Sequence, residues 1–219
     1  MKNYVIIFLI GYLLMSSEVT AQKTKKVYLD TDDTELSRRD YKKKYKKAGY
    51  QVLDLKITDT DSLEVRKLFW REHQGALNAI ALDQLKQYLR QLSGKELPEA
   101  NYIAINYYPG PDKCNKGGYN EYELEMMESY ELALETIGNA SQYYIHNKET
   151  MAPTGTKKDQ SLADQTNLFK NVFFPHHFPC KSFVVIHPDG RYVKYYGEHS
   201  LQAVVDVLQA DWDQDFFWE

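Results

Sequence analysis

Phe183-Val-Val-Ile-His-Pro-Asp-Gly-Arg-Tyr-Val-Lys-Tyr-Tyr-Gly197 is the stretch on which the fold turns. Two runs rich in β-branched and aromatic residues, Phe183–His187 and Tyr192–Tyr196, flank Pro188-Asp189-Gly190-Arg191. An Asp-Gly turn between such runs predicts a β-hairpin. Downstream, Ser200 is an N-cap candidate for a closing helix that buries Leu201, Val204, Val205 and Leu208. Upstream, Asn101–Tyr108 has the composition of a buried strand and runs into the loop signal Pro109-Gly110-Pro111-Asp112. Glu121–Ile137 is predicted helical, with Leu124, Met127, Leu132 and Leu134 toward the core, and Gly138-Asn139 ends it. Gln142–His146 is a further strand, Asn147–Lys158 a long polar loop, and Ser161–Val172 a predicted helix. From residue 101 the order is therefore strand, helix, strand, helix, hairpin, helix.

The first half alternates in the same way. Lys26–Leu29 is a predicted strand, and Ser37 caps a helix with Tyr41 and Tyr45 on one side, closed by Gly49. Tyr50–Ile57 is a predicted strand, Asp61 or Ser62 is expected to cap a short helix through Phe69, and Ala79–Leu92 is a stronger helix ending near Gly94. The fold class expected is α/β.

The first residues look like an export signal: Lys2, the apolar run Tyr4–Met15, polar Ser16-Ser17-Glu18, then Val19-Thr20-Ala21 with small residues at the cleavage position. Cleavage after Ala21 is expected, leaving Gln22 as the mature terminus, with no cysteine there to carry a lipid. The alternative is an uncleaved anchor followed by Lys23, Lys25 and Lys26. The expected location is periplasmic or secreted, without stable membrane insertion after cleavage. Loss of residues 1–21 removes Lys2 and Glu18 and leaves the net charge at −4, so nothing points to a nucleic-acid partner. Charge is uneven, however. Lys23–Lys47 is basic and Asp211–Glu219 is acidic and aromatic, so the tail could dock on the basic helix.

Cys114 and Cys180 are the only cysteines, and an even count in an exported chain points to a bridge, either a staple or a redox couple. The segment also offers a metal-binding alternative. His176 and His177 with Cys180 and Cys114 would supply imidazole and sulfur ligands suited to copper or zinc. Asp30, Asp32 and Asp33 lack the glycine and distant glutamate of an EF-hand. No Ser/His/Asp order, phosphate-binding glycine loop or repeat is present, and no cofactor is expected.

The element order, the hairpin Phe183–Gly197 and the strand Ile103–Tyr108 resemble the thioredoxin-like superfamily, especially its exported bacterial members, over roughly residues 100–210. The resemblance implies a thioredoxin-like mixed sheet with flanking helices (99–219); the expected signal peptide (1–21) and a small N-terminal α/β annex (22–98) precede it and lie outside the resemblance. It also implies that Pro109 and Lys113 lie in the loop of the family's active site, that Pro179 is the cis-proline candidate, and that Cys114 and Cys180 face each other from two loops. The family's Cys-x-x-Cys is absent.

The expectation is an exported thioredoxin-like protein acting as a non-catalytic interaction or structural module on an unknown protein partner. The alternative is a divergent thiol-disulfide oxidoreductase acting on a thiol substrate, with Cys114 as the attacking thiolate near a helix N-terminus, Lys113 assisting and Cys180 as the resolving partner. The second alternative is a copper or zinc carrier.

Overall fold

Two β-sheets form because the chain supplies two kinds of strand, one covered on both faces and one of mixed polarity. The computed structural model describes residues 24–114, 121–152 and 161–216. The expected signal peptide lies outside the described residues, as does the second half of the polar loop 147–158.

The smaller sheet holds β1 (Lys25–Leu29), β2 (Val52–Asp59) and β3 (Leu63–Trp70) in the order β1-β3-β2, with β1 parallel and β2 antiparallel to β3. Helix α1 (Arg38–Ala48) covers one face. The Ser37 hydroxyl accepts from the Asp40 amide to start it, and Gly49 at φ +56 ends it. Tyr41 is the helix's buried residue, packed with Val52 and Leu68. Its hydroxyl donates to Asp54 Oδ1 (2.5 Å), a carboxylate that also takes a two-point bond from Arg66 (2.9 and 2.7 Å).

The segment expected to be a helix after Ser62 is β3. Thr60-Asp61-Ser62 closes a hairpin instead, the Leu63 amide donating to Thr60 Oγ1. Pairing with β2 then places Leu68 toward α1 and Phe69 toward the larger core. That alternation competes with, and beats, a weak capping signal.

The larger sheet has the order β4-β9-β8-β5-β6-β7, with β4 (Glu72–Ala76), β5 (Tyr102–Tyr108), β6 (Ala140–Asn147), β7 (Ser161–Asp164), β8 (Ser182–Ile186) and β9 (Arg191–Tyr195). β5 runs parallel to β6 and antiparallel to β8; β8 and β9 form the expected hairpin. The chain passes from the small sheet to the large one at Arg71. β4 pairs with β9, helix α2 (Ala79–Ser93) packs Leu82, Leu85 and Leu89 into the large core, and Leu53 of β2 joins the same cluster. The N-terminal region therefore shares its core with the rest of the chain.

β5 and β8 are covered on both faces. Ile103, Ile105, Val184 and Ile186 face α2 and the Phe169–Phe178 aromatics, while Ala104, Phe183 and Val185 face α3 (Glu121–Ile137) and α5 (Leu201–Gln209). This is why both strands read as unbroken apolar runs. On α3 the inward side is Met127, Tyr130 and Leu134. Leu124 and Leu132, expected inside, are 41% and 65% exposed. The true stripe runs at three- and four-residue steps through Tyr130, whose hydroxyl accepts from Asn106 Nδ2.

The expected helix 161–172 divides. Ser161–Asp164 pairs parallel with β6, and only Leu168–Val172 is helical (α4). The fully buried Asp164 makes the break, its carboxylate accepting from the Leu168 amide (2.9 Å), the Lys170 amide (3.0 Å) and the Tyr88 hydroxyl (3.1 Å). As far as residue 216, the acidic tail packs on the hairpin side of the large sheet and not on α1. Trp212 is buried against Tyr102, His187 and Phe216, and Asp213 pairs with Arg191 at the hairpin.

The hairpin turn allows little variation. Gly190 has φ +98, and a Cβ there would stand 2.6 Å from the Leu77 carbonyl oxygen. Gly190→Ala is expected to cost about 1–3 kcal/mol, read as a lowered urea midpoint, because left-handed strain and a backbone clash act together.

Candidate functional site

The antiparallel register Tyr107↔Ser182 brings the end of β5 beside the start of β8. The loop leaving β5 and the loop entering β8 therefore emerge side by side. The first loop passes through buried Pro109 and Gly110, the latter at φ +130 with the Thr150 methyl 2.7 Å from where a Cβ would stand. It then reaches Asp112, Lys113 and Cys114. The second descends from α4 through Phe173, Phe174 and Phe178, all buried, to Pro179 and Cys180.

Cys114 and Cys180 are joined by a disulfide, with their α-carbons 5.1 Å apart. The two ends differ in access: Cys114 is exposed, whereas Cys180 is 6% exposed. A bridge spanning 66 residues of sequence stabilises the folded chain by about 4 kcal/mol on the chain-entropy estimate.

Asp112 holds both loops. Its Oδ1 accepts from the Cys114 amide (2.9 Å), an Asx-turn, and its Oδ2 accepts from the Cys180 amide (2.6 Å). His177 Nε2 lies 3.3 Å from the same Oδ2. Burial raises the Tyr108 hydroxyl pKa above its usual range, and the Asp112 charge pushes it the same way. The sequence shows the short-range half of the Asp112 contact as a Pro-Asp turn signal. The bond to Cys180 spans 68 positions and leaves no local trace.

The other expected site residues fall out differently. The Phe178–Pro179 bond is trans, since no cis peptide occurs among the described residues, so the cis-proline assignment is corrected. The chain turns into β8 through Cys180 itself, at φ +70, while Phe178 stacks flat on Tyr196 with centroids 3.8 Å apart. Lys113 is exposed. The expected helix N-terminus after Cys114 falls on residues 115–120, outside the described ones.

The metal trio does not assemble. His176 lies against the Phe69 and Phe178 rings, His177 turns to Asp112, and the Cys180 sulfur is committed to the bridge. Among the described residues, no group of three His, Cys, Asp or Glu side chains is placed to hold a metal ion.

Two further polar groups lie deeper. Lys194 sits 5.9 and 5.2 Å from the Tyr192 and Tyr196 ring centroids, opposite His73 of β4, and burial pushes its amine down to about 8. A lysine alternating with two core-facing tyrosines was a readable signal that sequence reasoning passed over. His199 is buried against Phe183 and Tyr195, with Nδ1 3.0 Å from the Gly197 carbonyl oxygen. A depression of about 180 Å³ beside β6, lined by Lys95, Glu131, Gln142 and Tyr144 among others, is smaller than small-molecule sites usually are.

No protein-family model, curated protein or solved structure matches this chain.

Asp112→Ala should lower stability by about 1–3 kcal/mol in urea unfolding, because the Cys180 amide loses its acceptor. Asp112→Asn should fall between, since an amide offers one oxygen where the carboxylate offers two. His199 sets a pH dependence. Burial pushes its pKa from 6.5 down to about 4, so its contribution is fully present above pH 6.5 and lost as pH falls from 6.5 toward 4. The loss is on the order of 3 kcal/mol. His199→Leu should flatten this part of the stability–pH curve.

Proposed function

We propose that the chain is an exported thioredoxin-like protein in which Cys114–Cys180 is a permanent bridge and the fold serves as a non-catalytic interaction module. The strand order β9-β8-β5-β6 supports the fold assignment, with α3 connecting the parallel pair β5 and β6 and α5 following the hairpin on the same face.

The position of Asp112 carries the functional reading. Thiol-disulfide catalysis needs a thiolate held in an electropositive setting. Here a carboxylate accepts from the backbone amides of both cysteines. A thiolate released at either end would have that negative charge as its neighbour, which raises the thiol pKa and makes a poor leaving group. Attack from solvent reaches the exposed Cys114 sulfur and must expel Cys180, which is buried.

The exposure of Cys114 is the one observation that favours the oxidoreductase reading. A redox titration combined with an insulin-reduction assay separates the two. A staple is expected to show a potential below about −300 mV with no turnover. Turnover that disappears in Cys114→Ser while the circular-dichroism spectrum stays native would overturn the staple.

A further inference from the structure

Helix α1 reads Arg-Arg-Asp-Tyr-Lys-Lys-Lys-Tyr-Lys-Lys-Ala, with seven cations and one acid in 11 residues. Lys44 is used internally, bonded to the buried carboxylate of Asp30. Arg38, Arg39, Lys42, Lys43, Lys46 and Lys47 are all exposed, and none makes an ion pair among the described residues. With Tyr41 fixing the inward direction, a turn of about 100° per residue puts Arg39, Lys42, Lys43, Lys46 and Lys47 on the outward half of the helix and Arg38 at its margin.

This arrangement works against the helix. The pairs Arg38/Lys42, Arg39/Lys43, Lys42/Lys46 and Lys43/Lys47 are each like-charged at four-residue spacing, which destabilises the helix. Arg38 and Arg39 also stand at the positive end of the helix dipole. A solvated face has no need of such a pattern, and an external anion surface relieves it.

Two exposed aromatics adjoin the cations. Tyr45, on the same helix, is 43% exposed. Trp70 is 42% exposed and shares the α1 side of its strand with Leu68, next to Val52, where the chain leaves the helix. Tyrosine and tryptophan beside clustered lysines is the composition that settles at the headgroup level of a bilayer. The cations lie on the convex surface of one helix, so they suit a laterally extended anion layer rather than a discrete ligand. Asp32, Glu35 and Asp40 are exposed beside or on α1, but the denser acidic array is on α3, which exposes Glu121, Glu125, Glu128 and Glu135. That separation would orient the molecule on an anionic plane, α1 inward.

We infer that the outward, cationic face of α1, flanked at its sheet-ward margin by Tyr45 and Trp70, is a docking surface for anionic lipid headgroups, on which the protein adsorbs without inserting. The inference is independent of whether the bridge is inert.

The test is co-sedimentation of the processed chain, starting at Gln22, with phosphatidylcholine vesicles and with vesicles containing phosphatidylglycerol. Binding is expected to the anionic vesicles alone and to vanish at high salt. Lys42→Glu/Lys43→Glu/Lys46→Glu should weaken partitioning by at least about a hundredfold, taking each cation as worth about 1 kcal/mol, with an unchanged circular-dichroism spectrum. Glu125→Ala/Glu128→Ala should bind at least as well as the parent chain. Tryptophan emission should shift to the blue on binding, and the shift should be absent in Trp70→Phe. Equal binding to neutral vesicles, undiminished binding by the triple variant, or a shift that persists in Trp70→Phe would each overturn the inference. So would tight binding to an oligonucleotide or an acidic protein with none to anionic vesicles.

Discussion

β5 and β8 lie side by side in the middle of the six-stranded sheet, and the rest of the structure is arranged around their antiparallel contact. Five residue pairs, from Ile103↔Ile186 to Tyr107↔Ser182, fix the register, and a slip of one would turn every side chain to the wrong layer. The aromatic cluster and α2 require one face of this pair, and α3 with α5 require the other. The same register delivers two loops to one end of the sheet, close enough for a covalent bond and a shared carboxylate. The site is thus a consequence of the core rather than an addition to it.

The N-terminal sheet depends on that core as well. It shields itself with α1 on one side, where Tyr41, Asp54 and Arg66 form a half-buried hydrogen-bonded group. Its other side gives Leu53, Leu55 and Phe69 to the main cluster. Arg71 ties the two sheets where the chain crosses between them. Its amide donates to Gln51, its carbonyl accepts from Tyr196, and its guanidinium lies over the Tyr50 ring at 4.1 Å. One surface of the small sheet is therefore interior, while α1 is left to face outward with its cations.

Much of this was legible in the sequence where a local cause acts alone. β5, the β8–β9 hairpin, α1, α2 and α5 follow from apolar runs, an Asp-Gly turn and capping serines, and they stand where those signals place them. The failures share a different origin. β4, Glu-His-Gln-Gly-Ala, has no strand propensity and exists because β9 offers it an edge. β7 exists because β6 does, and α4 begins where Asp164 caps it. The inward side of α3 is set by Tyr130, a residue that can lie inside or at a rim, so its phase could not be read from leucines alone. At the site, both cysteines were evident, but Asp112 was not. Its role depends on a partner far along the chain, and propensity carries no information about that.

The bridge closes a covalent ring from Cys114 to Cys180 that contains α3, β6, β7 and α4, while β5 and β8 lie just outside it on either side. A peptide bond cut anywhere within that ring releases no fragment. The amino-terminal piece keeps β5 and the carboxyl-terminal piece keeps β8, and the two remain joined through sulfur. A nicked molecule would therefore still migrate as one chain until a thiol reductant is added.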